Sequence, residues 1–261
     1  MLEPRPSSAL VVLPSPDPGG SGGSERRRSA PWKWQLANAV RSASELSARV
    51  TLTPEELAGA ERSERQGFPF GITPYYLSLV DPLDAACPIR RQVVPHRLEG
   101  ETTRGDLVDP LGEEAHEVAP DLVQRYPDRA LVLATDRCAV YCRFCTRSRM
   151  VGGGSGTRSL EHLGPAFDYL AAHPEIRDVI VSGGDPLTLA TERLVQVVAG
   201  LRAIESIETI RLATRVPVVL PQRITGELLR ALAPLHPLWV MTHFNHPKEL
   251  TPIACRGLER L

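Results

Sequence analysis

The chain has no run of about 20 apolar residues, so it offers no candidate for a membrane-crossing helix. An excess of one charge is missing too. Thirty lysines and arginines stand against 31 aspartates and glutamates, a net charge of −1, so nothing electrostatic points to nucleic acid or an anionic membrane as partner. Lysine itself is scarce: Lys33 and Lys248 are the only two, and arginine supplies the other cations, a bias that a GC-rich genome produces. Five cysteines in 261 residues, three of them clustered, do not make a disulfide framework. The patch Ala9 to Leu13, close to Arg5, falls short of the roughly 7–15 apolar residues of a signal-peptide core. Together these absences lead us to expect a reducing, cytoplasmic compartment, in which an oxygen-sensitive group survives.

What is present is 42% hydrophobic residues, enough for one sizeable core or a core plus a small satellite. Residues 1–30 are rich in Pro, Gly and Ser, end in Glu25-Arg26-Arg27-Arg28, and are expected to form a disordered tail. Residues 31–120 read as a helical and loop region. Trp32, Trp34, Leu36, Val40 and Leu46 suggest one imperfect amphipathic helix. Thr53-Pro54-Glu55-Glu56 is a helix start with Thr as N-cap, Pro at the first helical position and Glu at the third. From Asp81-Pro82 to about Pro120 the pattern is loop-rich.

Residues 121–261 alternate. Apolar runs at Ala130–Thr135, Asp178–Ser182, Ile210–Thr214 and Leu238–Thr242 read as buried parallel strands. Helical patterns lie between them at Leu160–His173, Leu189–Ile204 and Thr225–Ala233, and a last one starts near Thr251. Such βαβ units of roughly 30 residues predict an α/β fold with right-handed crossovers. In barrels built this way functional residues sit on the loops after the strands. Here those loops carry the four most unusual segments: Cys138, Cys142 and Cys145; Ser182-Gly183-Gly184-Asp185-Pro186; Arg215-Val216-Pro217; and His243-Phe244-Asn245-His246-Pro247. All four are expected on one rim.

The cysteines form a C-x₃-C-x₂-C cluster, a spacing that suits three thiolates on one iron–sulfur cube with a fourth iron left open. A zinc site with Cys255, Cys87 or a histidine as fourth ligand is the competing reading, and simple burial is a third. Glycines after a strand can serve only to permit a tight turn. Arg215 could hold a carboxylate at a strand end or be a salt-bridged surface arginine. His243 and His246 stand at i, i+3, but Pro247 argues against a regular helical metal pair, and a strand-end histidine is usually just hydrogen-bonded.

The run Asp136-Arg137-Cys138-Ala139-Val140-Tyr141-Cys142-Arg143-Phe144-Cys145-Thr146-Arg147 resembles the signature of the radical S-adenosylmethionine (SAM) enzymes. With Trp32-Lys33-Trp34-Gln35, Gly71-Ile72-Thr73-Pro74-Tyr75-Tyr76-Leu77-Ser78-Leu79, Thr214-Arg215, Pro217 to Thr225 and Thr242 to Pro247, most of the chain resembles the lysine 2,3-aminomutase family. That resemblance implies a partial (β/α) TIM-like barrel with an N-terminal helical extension, and the following site. Cys138, Cys142 and Cys145 ligate a 4Fe-4S cluster whose open iron chelates S-adenosylmethionine. Phe144 packs near the adenine, the Gly183-Gly184 backbone meets the methionine amino group, and Ser182 and Asp185 belong to the same polar turn. Arg215 offers a carboxylate contact and His243 faces the ribose region. Arg125, Tyr126 and Arg129 contact pyridoxal 5′-phosphate (PLP), guanidinium to phosphate and ring against ring; a capped turn with exposed arginines is the duller reading of that segment. Arg147 holds the carboxylate of the amino-acid substrate, unless it is a hydrated surface arginine.

The activity so implied is isomerisation: a 5′-deoxyadenosyl radical takes a β-hydrogen from the PLP-bound substrate, and the α-amino group moves to the β-carbon through a three-membered ring. Lysine is the first substrate expected; glutamate, arginine or a protein-borne lysine stay open. A flavodoxin or ferredoxin is the implied electron donor, and a homo-oligomer is possible by analogy. Family members continue for well over a hundred further residues, which carry the lysine that forms the internal aldimine. Neither Lys33 nor Lys248 matches it, and four strands precede Leu261. A fragment, a split subunit or an inactive module that binds only the cluster and S-adenosylmethionine is therefore the rival expectation.

Overall fold

A computed structural model of the chain describes residues 31–66, 68–153 and 156–261; the tail expected over residues 1–30 lies outside them. The amphipathic helix expected from Trp32 to Leu46 is two short helices, α1 (Pro31–Ala37) and α2 (Ala43–Ser47). Between them Val40 leaves the helical path to exchange backbone hydrogen bonds with Ile72 (2.9 and 3.0 Å), and Ser42 caps α2 by accepting from the Glu45 N–H. A tertiary pairing and a cap thus override the periodicity. Helix α3 (Pro54–Arg65) starts where the sequence places it. Thr53 accepts from Glu56 N–H, and the Glu56 carboxylate accepts in return from Thr53 N–H.

Two short helices follow, α4 (Pro74–Leu77) before the loop-rich passage and α5 (Arg90–Val93) within it. The sheet then begins earlier than expected. Strands β1 (Glu117–Ala119) and β2 (Leu122–Tyr126) pair antiparallel and lead through the Pro127-Asp128 turn into β3 (Arg129–Thr135). Strands β3, β4 (Asp178–Gly183), β5 (Thr209–Ala213) and β6 (Leu238–Met241) are parallel. The whole is one open six-stranded sheet in the order β1-β2-β3-β4-β5-β6, a partial α/β barrel. Helices α6 (Leu160–Ala172), α7 (Thr191–Arg202) and, after the short α8 (Val216–Val219), α9 (Gly226–Leu232) make the crossovers, and α10 (Pro252–Arg260) follows β6.

The alternation of strand side chains divides the sheet. Val132, Val181 and Leu212 are fully buried on the helix-covered face, with Leu163, Leu170, Leu194, Val197, Val198 and Leu201 in the same core. The register places Leu133, Ser182, Ala213 and Met241 in one row of the opposite face, which borders the cavities described below. At β6 this face is open, with Trp239 and Met241 exposed.

Two buried arginines brace the structure, Arg223 between the N-terminal region and the barrel and Arg90 within the N-terminal region. Arg223 gives its guanidinium to the Leu187 and Leu189 carbonyls and to Thr191 Oγ1, and stacks 4.5 Å from the Trp32 ring centroid. Arg90, with no exposed surface, donates to both carboxylate oxygens of Glu56, to Thr51 O at 2.7 Å and to Pro82 O at 3.2 Å. Glu56 therefore serves two ends, helix cap and counter-ion. Burial pushes its carboxyl up, yet the Arg90 and Thr53 hydrogen bonds hold it below the ordinary carboxylate value. Glu56→Ala strands a buried cation and removes a cap, and is expected to cost about 3–5 kcal/mol, measured as a lowered urea midpoint; a midpoint unchanged within error contradicts the arrangement.

Candidate functional site

The loop that leaves β3 lies across the carboxyl ends of the parallel strands and is held from two sides. On the sheet side, Gly184 N–H donates to Thr135 O (2.6 Å) and Asp185 N–H to Arg137 O (2.8 Å). This approach needs residues without side chains. Gly183 has a φ of +110°, and a Cβ there would stand 2.3 Å from Thr135 O; a Cβ on Gly184 would stand 2.3 Å from Arg137 O. On the other side, Tyr141 N–H donates to Gly71 O (3.1 Å) and Arg143 N–H to Gln92 O (2.8 Å), while the Arg143 side chain pairs with Glu99 and the Pro69 carbonyl.

A cavity of about 480 Å³ opens under this loop. Its walls bring together Cys138, Cys142 and Cys145, the Ser182–Asp185 turn, Arg215 and His243, from the ends of all four parallel strands. Burial pushes all three thiols up; at Cys142 the Arg215 guanidinium pulls the other way, and at Cys145 the Arg147 N–H does. Among the described residues no three His, Cys, Asp or Glu side chains converge on a point that one ion could fill.

Arg215 is buried rather than at the surface. Its Nη1 donates to Cys142 Sγ (2.7 Å), and Nη2 donates to Tyr76 Oη (2.9 Å), Glu249 Oε1 (2.7 Å) and Gln92 Oε1; its Nε–H meets no protein acceptor. The plane lies 5.4 Å from the Tyr76 and Phe144 ring centroids. Glu249, also fully buried, accepts in addition from Tyr76 Oη (2.5 Å) and from the N–H groups of Asn245 (2.6 Å) and His246 (3.1 Å). Burial raises the Glu249 carboxyl, but Tyr76, the Asn245 N–H and Arg215 together hold it below the ordinary value; burial pushes the Tyr76 phenol far up.

Asp185 is a clamp. Its Oδ1 accepts from Leu187 N–H (3.0 Å) and Thr214 Oγ1 (2.6 Å), and its Oδ2 from Arg215 N–H (2.7 Å) and Val216 N–H (3.1 Å). The loops after β4 and β5 are thereby joined; burial pushes the carboxyl up against these donors. His243 is exposed, edge-on to Phe144 at 6.3 Å, with Nδ1 3.0 Å from Asn245 Oδ1, which leaves Nε2 outside that contact. Thr242 Oγ1, on the same wall, is buried without a protein partner.

Arg125, Tyr126 and Arg129 do not reach this cavity. They line a second one of about 320 Å³ beside it, with apolar walls from Val123, Ala130, Ile180 and Met241. All three sit on the β2–β3 hairpin and are exposed. Arg129 pairs with Asp128 (3.0 Å) and lies 5.5 Å from the Tyr126 ring centroid, and Arg125 donates to Leu111 O (3.1 Å). The two cavities share Arg147, Ser182, Ala213 and Met241. At that junction Arg147 is half-buried, paired with Glu113 (2.7 Å) and 3.4 Å from Ser182 Oγ. Neither Lys33 nor Lys248 lines either cavity; Lys33 packs over Trp32, and Lys248 is exposed in the Pro247–Glu249 turn.

Tyr76, Gln92, Glu113 and Glu249 escaped the sequence reading. Only Glu249 carried a local signal: it stands three residues after His246, whose ring caps the turn while Glu249 accepts from the His246 N–H. As an anion held below its usual pKa, Glu249 stabilises the fold fully above about pH 4.5 and loses that effect as the pH falls through its folded-state value. Glu249→Gln is therefore expected to unfold at a lower urea concentration than the parent at pH 7, with the gap closing below about pH 4.5. A gap that stays constant with pH contradicts the ion pair.

A family model described as the radical SAM superfamily matches residues 132–258. Similar proteins include the L-lysine 2,3-aminomutases of Clostridium subterminale and Fusobacterium nucleatum, each 44% identical over 88% of this chain and covering 55% and 54% of those proteins. The glutamate 2,3-aminomutase of Clostridioides difficile is 40% identical over 88% of this chain and 54% of that protein. The chain thus spans about half the length of the relatives it matches. No helix among the described residues is long and apolar enough to cross a membrane.

Proposed function

Since the chain belongs to the lysine 2,3-aminomutase family of the radical SAM superfamily, we propose that it builds the radical-generating part of an amino-acid 2,3-aminomutase, an isomerase with lysine as first substrate. The observation that carries this reading is the junction of the two cavities. The cysteine-lined chamber opens on Arg147, Ser182, Ala213 and Met241, and the arginine-bearing chamber begins at the same four residues. A radical made in the first chamber is thereby next to a substrate held in the second.

The residues fit the groups the family uses. Three thiols stand in one wall, and the buried Nε–H of Arg215 and the hydroxyl of Thr242 lack protein partners there. When bound, a 4Fe-4S cluster supplies the electron that splits the S-adenosylmethionine sulfonium, and PLP supplies a π-system that spreads the spin of the substrate radical.

Cys138, Cys142 and Cys145 hold the cluster. The N–H groups of Gly184 and Asp185 are spent on the cysteine loop, so the turn meets the methionine amino group through its carbonyls, the correct polarity for an amine N–H donor. Arg215 Nε–H donates to the methionine carboxylate, and Asp185 orients Arg215 by holding its backbone. His243 Nε2 accepts from a ribose hydroxyl, with Phe144 beside the adenine. Arg125 and Arg129 take the PLP phosphate and Tyr126 lies against its ring. Arg147, oriented by Glu113, binds the substrate carboxylate. The described residues place no lysine in the second chamber, so the aldehyde of PLP finds no lysine of this chain beside it. The electron comes from a low-potential donor of the flavodoxin or ferredoxin class.

Anaerobic reconstitution with iron and sulfide is expected to give a brown protein that, with dithionite, converts S-adenosylmethionine to methionine and 5′-deoxyadenosine. Replacing any one of the three cysteines by alanine abolishes that product by chromatography; product that persists in Cys142→Ala contradicts the assignment. For the second chamber, Arg125→Ala and Arg129→Ala are each expected to weaken PLP binding about 10- to 150-fold, from about 1.5–3 kcal/mol per charge-assisted hydrogen bond. Fluorescence titration reads this, and an unchanged Kd contradicts the phosphate role.

A further inference from the structure

The buried network behind Cys142 does more than hold the loop in place. Arg215 delivers one N–H to the Cys142 sulfur at 2.7 Å, and its other terminal nitrogen is taken by Glu249, Tyr76 and Gln92. The anion and the cation are both sequestered: Glu249 is fully buried and Arg215 is 7% exposed. Charges so placed act on a neighbour through a low dielectric and are little screened by salt. Each is also anchored independently of the other. Glu249 keeps the Asn245 and His246 N–H groups and the Tyr76 hydroxyl, and Arg215 keeps Gln92, Tyr76 and the stacking of Phe144. One of them can be changed without releasing the other.

We infer that Arg215 and Glu249 are positioning residues that set the reduction potential of the cluster held by Cys138, Cys142 and Cys145, with Arg215 raising it and Glu249 trimming that rise. The inference rests on the cluster reading given above. Reduction adds one electron from a low-potential iron–sulfur or flavin protein, makes the cluster one unit more negative, and breaks no bond at sulfur. A cation and an N–H donor at a ligand sulfur stabilise that added charge, and an anion behind them opposes it; charge and hydrogen bonds to the sulfurs are among the factors that tune such clusters. The same donor engages Cys142 of the three ligands, so the effect is local to one corner of the cube.

The test is an EPR-monitored potentiometric titration of the reconstituted chain without S-adenosylmethionine. It compares the parent with Arg215→Gln, Arg215→Lys and Glu249→Gln, with iron content and circular dichroism measured on each. Arg215→Gln is expected to lower the midpoint. Arg215→Lys keeps the charge and loses the fork, so its midpoint falls between the two. Glu249→Gln, the near-isosteric change, is expected to raise the midpoint. Shifts of opposite sign are what a merely structural role cannot produce, since loosening the loop moves both variants the same way. Loaded variants that share the parent midpoint, or that all shift in one direction, overturn the inference and leave the cluster reading standing. A parent chain that takes up no iron overturns both.

Discussion

The site depends on one close contact: the end of β4 lies against the cysteine loop, with Gly183 and Gly184 where any side chain would collide with the Thr135 and Arg137 carbonyls. Backbone hydrogen bonds can then run directly from the β4 turn to the loop, so the loop needs no regular structure to hold its shape. The N-terminal region closes the other side through the Gly71 and Gln92 carbonyls. Its function is thereby explained. It is the wall against which the irregular chain of the cysteine loop is pressed into a cavity.

Burying charge is the second constraint. Arg90, Arg215 and Arg223 all lie inside, and each is given more than one acceptor. For Arg90 and Arg215, loss of the paired carboxylate leaves an uncompensated cation, which is far costlier than a lost surface pair. The planar fork of arginine suits this use, because its donors diverge at fixed angles and its face stacks on Trp32, Tyr76 or Phe144. Arg215 is the case in which structural and chemical roles meet, since one end of its fork touches the protein's anion and the other a cysteine sulfur.

The parallel half of the sheet was legible because its signals are local: β-rich apolar runs, helical patterns between them, and unusual residues after each strand. The helix start at Thr53 was legible for the same reason. The hairpin before β3 was not. Leu122 and Val123 are the only buried residues of β2, too short an apolar pattern to stand out from a loop, and β1 has none. The break between α1 and α2 was hidden as well, because its cause is Ile72, far along the chain. Arg215 was read as a surface or ligand-binding residue because nothing near it in sequence announces Glu249, Tyr76 or Gln92. Four segments must come together before that network exists: α4, α5, the loop after β5 and the Pro247–Glu249 turn. For Arg125, Tyr126 and Arg129, resemblance named the residues, but only the fold showed that they occupy a separate chamber meeting the first at Arg147.

At the centre of the proposed site, three cysteines grip a cube and leave one iron for a ligand. Mössbauer spectroscopy of the chain loaded with ⁵⁷Fe tests it most directly. The account predicts that adding S-adenosylmethionine shifts the signal of one iron in four and leaves the other three unchanged. A spectrum in which all four irons behave alike, with and without S-adenosylmethionine, contradicts it.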